Sequence, residues 1–191
     1  MNDYTANEQR GREVLSVTDS VWLITGIPGA GKTSVSKHLA ARLPRTAHVE
    51  VDLLREMVVS GYLAPGEEPK ATSDAQLELG ARNSALIADS FMAAGFTPLV
   101  DDVVLRLQLA QYREVLSRWP LRLVVLAPTV EVAMERDRNR EEKHVAARFA
   151  YLHEEFRKQM QGLGLWLDTS GSSIADTVEA IVRRADEALL R

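Results

Sequence analysis

The sequence predicts an α/β fold built on a parallel sheet, and three observations predict it. Five short β-like runs occur, most of them continuous and apolar, as strands buried on both faces require. Helical spacing of apolar residues fills the intervals, giving alternating strand and helix units. The first run ends in a glycine-rich turn that leads directly into a helical pattern.

Taken in order, residues 1–16 read as a polar arm with a short helix around Glu8–Leu15. Val21–Thr25 is the first strand and Thr33–Leu43 the helix after it. Ala47–Val51 is the second strand. Pro65, Gly66 and Pro69 mark a loop over 61–72. The helix Ser73–Ala94 follows, with Leu77, Ala81, Ala85, Ala88 and Met92 on one face and a capping-box pattern at Ser73 and Gln76. Pro98–Asp101 is the third strand. Leu105, Leu109, Tyr112, Leu116 and Trp119 have helical spacing. Leu121–Ala127 is the fourth strand, and a helix starts near Thr129 and runs into the charged stretch Arg136–Arg148. Leu163–Asp168 is the fifth strand. Ile174, Val178, Ile181, Ala185 and Leu189 define a last helix. No repeat or low-complexity tract is present, and one domain is expected over 17–191.

Composition narrows the function. The chain has 191 residues, 46% of them hydrophobic, enough to build a core. Its formal charge is −4, which does not suit a general nucleic-acid binder. With no cysteine, disulfides, thiolate metal sites and cysteine nucleophiles are excluded. His38, His48, His144 and His153 lack metal-ligand spacing, and Trp22, Trp119 and Trp166 read as core residues. The first 20 residues have no apolar run resembling a leader, and every apolar run is strand-sized. A cytoplasmic protein with no membrane, nucleic-acid or protein partner is therefore expected.

The strongest signal is Gly26-Ile27-Pro28-Gly29-Ala30-Gly31-Lys32-Thr33, a full G-x-x-x-x-G-K-[ST] motif between a strand and a helix. Its glycines let backbone N–H groups turn toward an anion, and the helix start adds the positive end of its dipole. Gly26 to Thr33, with Ser34, are the expected nucleotide contacts. Lys32 reaches the outer phosphates, and the Thr33 hydroxyl binds Mg²⁺. The N-K-x-D motif of guanine-nucleotide switches is absent. The chain is too short for a motor or transport ATPase.

With these residues the chain resembles P-loop small-molecule kinases of the shikimate, gluconate and nucleoside-monophosphate kinase type, and among them proteins like chloramphenicol phosphotransferase. The likeness rests on Gly26–Thr33, on Val51-Asp52-Leu53-Leu54-Arg55, and on Leu99-Val100-Asp101-Asp102-Val103-Val104. Glu135–Arg140 and Leu167-Asp168-Thr169-Ser170-Gly171 also fit. The resemblance implies a three-layer P-loop fold with a five-stranded sheet of order 2-3-1-4-5 and a small helical lid over about 136–150. It also implies ATP, Mg²⁺ and phosphoryl transfer to a small acceptor.

Ligands in such sheets bind beyond the carboxyl ends of the strands, so Asp52 faces the cleft. A carboxylate there takes or orients the proton of an acceptor hydroxyl, and the resembling kinases use an acid at this position so. Asp52 also suits an N-cap for a helix beginning at Leu53. Arg55, one turn on, suits an anionic group on the acceptor or a solvated helix face. Asp101 and Asp102 point to opposite sheet faces; the resemblance favours Asp101 for Mg²⁺ and Asp102 for the acceptor. Arg136 and Arg140 share a helix face and, with Arg148, are the lid arginines that the resemblance brings to the phosphates or adenine. The same stretch also reads as an exposed helix paired with Glu131, Glu135, Glu141 and Glu142. The loop Asp168–Ser173 lies near adenine in related kinases, and Ser173 with Asp176 equally forms a helix cap. Loop 60–72 and helix 73–94, with Tyr62, Glu67 and Arg82, are expected to shape the acceptor pocket. The expected function is an ATP- and Mg²⁺-dependent kinase acting on a small-molecule hydroxyl. The alternatives are a nucleotide-binding regulatory module and a toxin-type kinase of sugar nucleotides.

Overall fold

The computed structural model describes residues 17–139 and 151–191. The arm over 1–16, His144 and the lid residues Arg140 and Arg148 lie outside them. Five strands, β1 (Val21–Gly26), β2 (Thr46–Glu50), β3 (Thr97–Asp101), β4 (Leu121–Leu126) and β5 (Leu165–Leu167), form one sheet of order β2-β3-β1-β4-β5. Every pairing is parallel. The helices are α1 (Lys32–Ala40), α2 (Val51–Glu56), α3 (Lys70–Ala93), α4 (Arg106–Val115), α5 (Val130–Arg138), α6 (Leu152–Met160) and α7 (Ile174–Arg183). A 3₁₀ turn at Ala185–Ala188 follows.

The strand order decides which helix lies where. Only the β1-to-β2 connection that carries α1 runs toward the β2 edge; the later crossovers run the other way. Right-handed connections therefore put α1 on one face and the helices between β2 and β5 on the other. The ion pair from Lys37 on α1 to Glu50, 3.7 Å, marks the α1 face, and Glu50 is the register partner of Asp101. Helix α7 packs with α1; α3 packs with α2 and α4. β1 and β4 are buried along their whole length, which accounts for their unbroken apolar sequence. Trp22, Leu23, Ile24, Leu99, Leu123 and Leu126 are fully buried at the centre. Each contributes roughly 1.5–3 kcal/mol of burial energy.

Several boundaries differ from the expectations. Helix α3 begins at Lys70, not Ser73. Ser73 and Gln76 sit inside it and organise the preceding loop: Ser73 Oγ accepts from the Gly66 N–H, and Gln76 accepts from the Leu63 N–H and donates to Gly61 O. The capping box is therefore not formed. Val51 belongs to α2 and not to the second strand. β5 has only three residues, because Gly164 (φ +67°) makes a turn whose Cα lies against the Leu123 carbonyl. The last helix ends at Arg183, and Leu190 then donates its N–H to Leu121 O. Helix α6 was not anticipated, although Leu152, Phe156 and Met160 are its buried face.

Candidate functional site

The glycine-rich turn closes around its own centre. Ala30 N–H donates to Ile27 O at 3.0 Å, and Val35 N–H donates to Gly31 O as α1 begins. Gly29 and Gly31 have φ of +83° and +93°, values that L side chains disfavour, so the loop depends on them. At Gly29 the requirement is also steric, since a Cβ there would overlap the backbone of Ala133 in α5. Lys32 Nζ donates to Gly26 O at 3.1 Å and to Ile27 O at 3.4 Å, so the ammonium lies in the loop. The Thr33 hydroxyl is half-buried at the second residue of α1 and makes no hydrogen bond among the described residues.

The acceptor-side residues come together around one arginine. Arg55, on α2, donates to Asp52 at 2.9 Å and to Asp102 at 2.6 Å. Asp52 is the second residue of α2 with its side chain exposed, while Asp102 is buried just beyond β3. Glu50 occupies the N-cap position and its side chain makes no cap bond, so the N-cap role expected of Asp52 is not what the fold uses. Asp102 also accepts from the Val103 N–H at 2.8 Å and from the Tyr112 hydroxyl at 3.3 Å, and Tyr112 meets Ser84 at 2.7 Å. Burial raises the Asp102 carboxyl above the usual carboxylate range, with Arg55 and the Val103 N–H pulling it back. Lys32 is among the charges acting on Asp102, which places this carboxylate in the field of the phosphate loop. Burial works against the Arg55 charge, but Asp102 and then Asp52 outweigh it and hold its pKa above the usual value. Burial, followed by Asp102, raises the Tyr112 phenol well above its ordinary value, so Tyr112 stays protonated.

Asp101 is separate from this cluster. Its carboxylate meets His48 Nε2 at 3.0 Å on the α1 face of the sheet. The opposite-face expectation for Asp101 and Asp102 is met. Hydroxyl and carboxylate oxygens are the hard donors Mg²⁺ prefers. Thr33 fits such an ion directly, and Asp101, held by His48, fits through water at most. No cluster of three or more His, Asp or Glu residues suited to a metal exists among the described residues.

Arg136 is committed to the loop after β5. It donates to Thr169 O at 2.7 Å and to Thr169 Oγ1 at 3.5 Å. That loop is a capped turn: Asp168 accepts from Ser170, Ser170 Oγ accepts from the Thr129 N–H, and Ser173 caps α7 through the Asp176 N–H. The Ser173–Asp176 cap is therefore formed. The Ser170 hydrogen bonds hold the Asp168 carboxyl below the usual range. Tyr62, Glu67 and Arg82 make no hydrogen bond or ion pair with Asp52, Arg55 or Asp102, and of the three only Tyr62 exerts a charge effect on Arg55.

A cavity of about 340 Å³ opens on the other side of the glycine-rich turn. Gly26, Ile27 and Pro128 form one side, and His153, Phe156, Arg157 and Trp166 the other. His153, Phe156 and Arg157 belong to the unanticipated helix α6. The apolar spacing of 152, 156 and 160 was the sequence signal that could have found it. Trp166 is only partly buried and lines this cavity.

Among curated proteins none matches the chain. Solved structures do. A sugar kinase from Janibacter is 19% identical, with a TM-score of 0.64 over 88% of this chain and 95% of that one. A shikimate kinase from Acinetobacter baumannii, in complex with shikimate, is 20% identical, with a TM-score of 0.63 over 91% and 96%. The APS kinase of Mycobacterium tuberculosis, in complex with AMPPNP and APS, is 18% identical, with a TM-score of 0.64 over 88% and 98%. These likenesses establish a P-loop fold shared with small-molecule kinases. The AAA domain family matches residues 21–164, three quarters of the chain, and the chain belongs to that P-loop family.

Proposed function

We propose that the protein is an ATP- and Mg²⁺-dependent kinase that transfers the γ-phosphoryl group to a hydroxyl of a small molecule. The observation that carries this reading is the Arg55-held pair of carboxylates, Asp52 and Asp102, beside a complete phosphate loop. A nucleotide-binding module has no use for an acid on that side, whereas a hydroxyl acceptor does.

The loop backbone and Lys32 hold the β- and γ-phosphates, and Thr33 holds Mg²⁺, which neutralises charge on the phosphate oxygens when bound. The acceptor oxygen forms a bond to the γ-phosphorus as the bond from that phosphorus to the bridging oxygen breaks, and ADP leaves. The hydroxyl proton passes to the exposed Asp52 carboxylate. Asp102, fixed by Arg55, the Val103 N–H and Tyr112, orients Arg55 and through it Asp52. Arg136 anchors the loop after β5, and in this reading Arg136, Arg140 or Arg148 supplies positive charge to the phosphates. Catalysis of this kind is positioning and charge neutralisation.

The test is a panel of hydroxylated metabolites and antibiotics incubated with the purified chain and Mg·ATP, each scored for the mass gain of one phosphoryl group. One acceptor gaining that mass supports the kinase. Tight Mg·ATP binding with no acceptor modified across the panel would replace it with the regulatory-module reading.

A further inference from the structure

We infer that a second cavity, at the amino end of the sheet, binds a free α-amino acid with an apolar side chain. The inference goes beyond the kinase reading and does not depend on it.

Position comes first. The sheet order sets β3 between β2 and β1, so the segments entering these three strands lie side by side. Together they line a cavity of about 300 Å³: Pro44 and Arg45 before β2, Met92 and Phe96 before β3, Thr18 and Asp19 before β1. Thr97 ties the three segments together. Its N–H donates to Arg45 O at 2.8 Å and its hydroxyl to Thr18 O at 2.7 Å. Gly95, at φ +76°, ends α3 in a turn where its N–H donates to Met92 O and the Phe96 N–H to Phe91 O. The walls are therefore set before any ligand arrives. β2 and β3 have five residues each and separate this cavity from the phosphate-loop end of the sheet by about 16 Å. A ligand here leaves the phosphate loop and the Arg55 cluster open.

Chemistry comes second. Two opposite charges line this cavity, and among the described residues neither forms an ion pair. Arg45 is exposed and makes one hydrogen bond, to Ala94 O at 3.2 Å. Asp19 is exposed and accepts only from the Ser20 hydroxyl, at 3.2 Å. The Arg45 guanidinium lies 4.6 Å from the centroid of the Phe96 ring, which Phe91 braces edge-on at 6.0 Å. Phe96 belongs to the middle segment, so this stacking draws the guanidinium inward from the β2 edge and holds it there. Its remaining donors suit a carboxylate, which a guanidinium fork binds bidentately. The Asp19 carboxylate suits an ammonium group. Pro44, Met92 and Phe96 supply carbon walls. A cation, an anion and an apolar wall in one cavity match the carboxylate, ammonium and side chain of an α-amino acid. A simple carboxylic acid leaves Asp19 unpaired, and a simple amine leaves Arg45 unpaired. The volume lies at the low end for ligand pockets, which suits a single amino acid and not a peptide.

The experiment uses calorimetry of the purified full chain with L-leucine. Leucine should bind saturably, with a Kd below about 1 mM. Isocaproate lacks the amino group, isopentylamine the carboxylate and glycine the side chain. Each should bind at least about tenfold more weakly, the loss expected for one charged hydrogen bond or its apolar equivalent. Asp19→Asn keeps an acceptor for the Ser20 hydroxyl, so it should fold as the parent does and weaken leucine binding at least about tenfold. Arg45→Gln should weaken it as much. Thermal melting checks both variants, and Asp19→Asn carries the test alone if Arg45→Gln does not fold. Lys32→Ala, at the other end of the sheet, should bind leucine as the parent does. No saturable binding of leucine, equal affinity for leucine and isocaproate or isopentylamine, unchanged affinity in Asp19→Asn, or loss of binding in Lys32→Ala would each overturn the assignment. Phosphoryl transfer is not part of the readout, so a failed kinase reading leaves this result standing.

Discussion

Arg55 and Asp102 form a buried ion pair with a 2.6 Å contact, and the same guanidinium holds the exposed Asp52 at 2.9 Å. One end of this chain of charges is inaccessible and the other open. Gly80 on α3 lies against the Arg55 side chain, and a Cβ there would meet Arg55 Nε at an ordinary contact distance of 3.4 Å. The two carboxylates therefore have different work: Asp102 fixes Arg55, and Asp52 is the one an acceptor reaches.

Substitution should separate them. Asp52→Asn keeps the shape and sits at the surface, so stability should change by less than about 0.5 kcal/mol. Its kcat on a confirmed acceptor should fall by about 10²–10⁴-fold if Asp52 takes the proton. Asp102→Asn leaves the buried Arg55 charge with only the exposed Asp52 as partner and should cost up to about 3–5 kcal/mol. Urea melts and steady-state kinetics on both variants check this. An unchanged kcat in Asp52→Asn would remove Asp52 from the transfer step.

Lys32 tests the phosphate loop itself. It packs no core and makes two carbonyl contacts within the loop. Lys32→Ala should lose about 1 kcal/mol at most, a melting shift of about 2–4 °C. Transfer should vanish with it. Activity and melting measured on the same preparation decide the point, and retained turnover would remove the loop from the mechanism.

The sheet, its order and the phosphate loop were legible because they rest on local signals: unbroken apolar runs, helical spacing and an eight-residue motif. Asp52, Arg55 and Asp102 were legible as candidates because the strand ends that carry them were. Their joint use of Arg55 was not, since it depends on α2 and α3 packing that brings residues 55, 80 and 102 together. Ser73 and Gln76 misled for a related reason. Their spacing matches a cap, but Pro69 starts the helix a turn earlier and turns both side chains to the loop before it. Arg136 was legible as a charge, but its hydrogen bond to Thr169, thirty-three residues away, was not. Helix α6 was hidden behind a run of charges although its apolar spacing was present.

Nucleotide choice follows from the loop and from the missing guanine-reading motif. Calorimetry with ATP and GTP, each with Mg²⁺ and with EDTA, should give ATP binding at least as tight as GTP binding, and weaker binding for both in EDTA. A strong GTP preference would favour a switch.

The Asp89–Arg118 pair sets an acid-side dependence. Arg118 donates two bonds to Asp89, at 2.8 and 2.7 Å, and the Trp119 N–H a third at 2.8 Å. The Arg118 bonds first, then Trp119, hold the Asp89 carboxyl below its usual range. The unfolded chain therefore binds the proton more readily, and stability rises with pH across that window. The contribution is complete above the unfolded value of about 3.9 and is lost as pH falls through the folded one. Asp89→Asn should lower the melting temperature at neutral pH and narrow its gap from the parent protein in acid. A gap that stays constant from neutral pH down to about pH 2.5 would show that the pair does not titrate with folding.

Gly29 and Gly31 have nearly the same left-handed backbone, φ +83° and +93°, but different surroundings. An added Cβ at Gly31 meets nothing within 4 Å, so Gly31→Ala carries the backbone strain alone, about 1–2 kcal/mol. At Gly29 the added carbon overlaps the Ala133 carbonyl oxygen and the backbone around it. Backbone does not rotate aside as a flexible side chain does, so α5 or the loop itself must shift. Gly29→Ala should therefore cost at least about 3 kcal/mol, in the range of severe single substitutions. Since α5 also carries Arg136, the shift should loosen its hold on Thr169 and weaken nucleotide binding more than Gly31→Ala does. Urea melts of both variants in one buffer, with ATP calorimetry beside them, give the comparison. Equal losses at the two positions would mean that α5 yields freely, and that the loop and the Arg136 helix are not mechanically joined through Gly29 and Ala133.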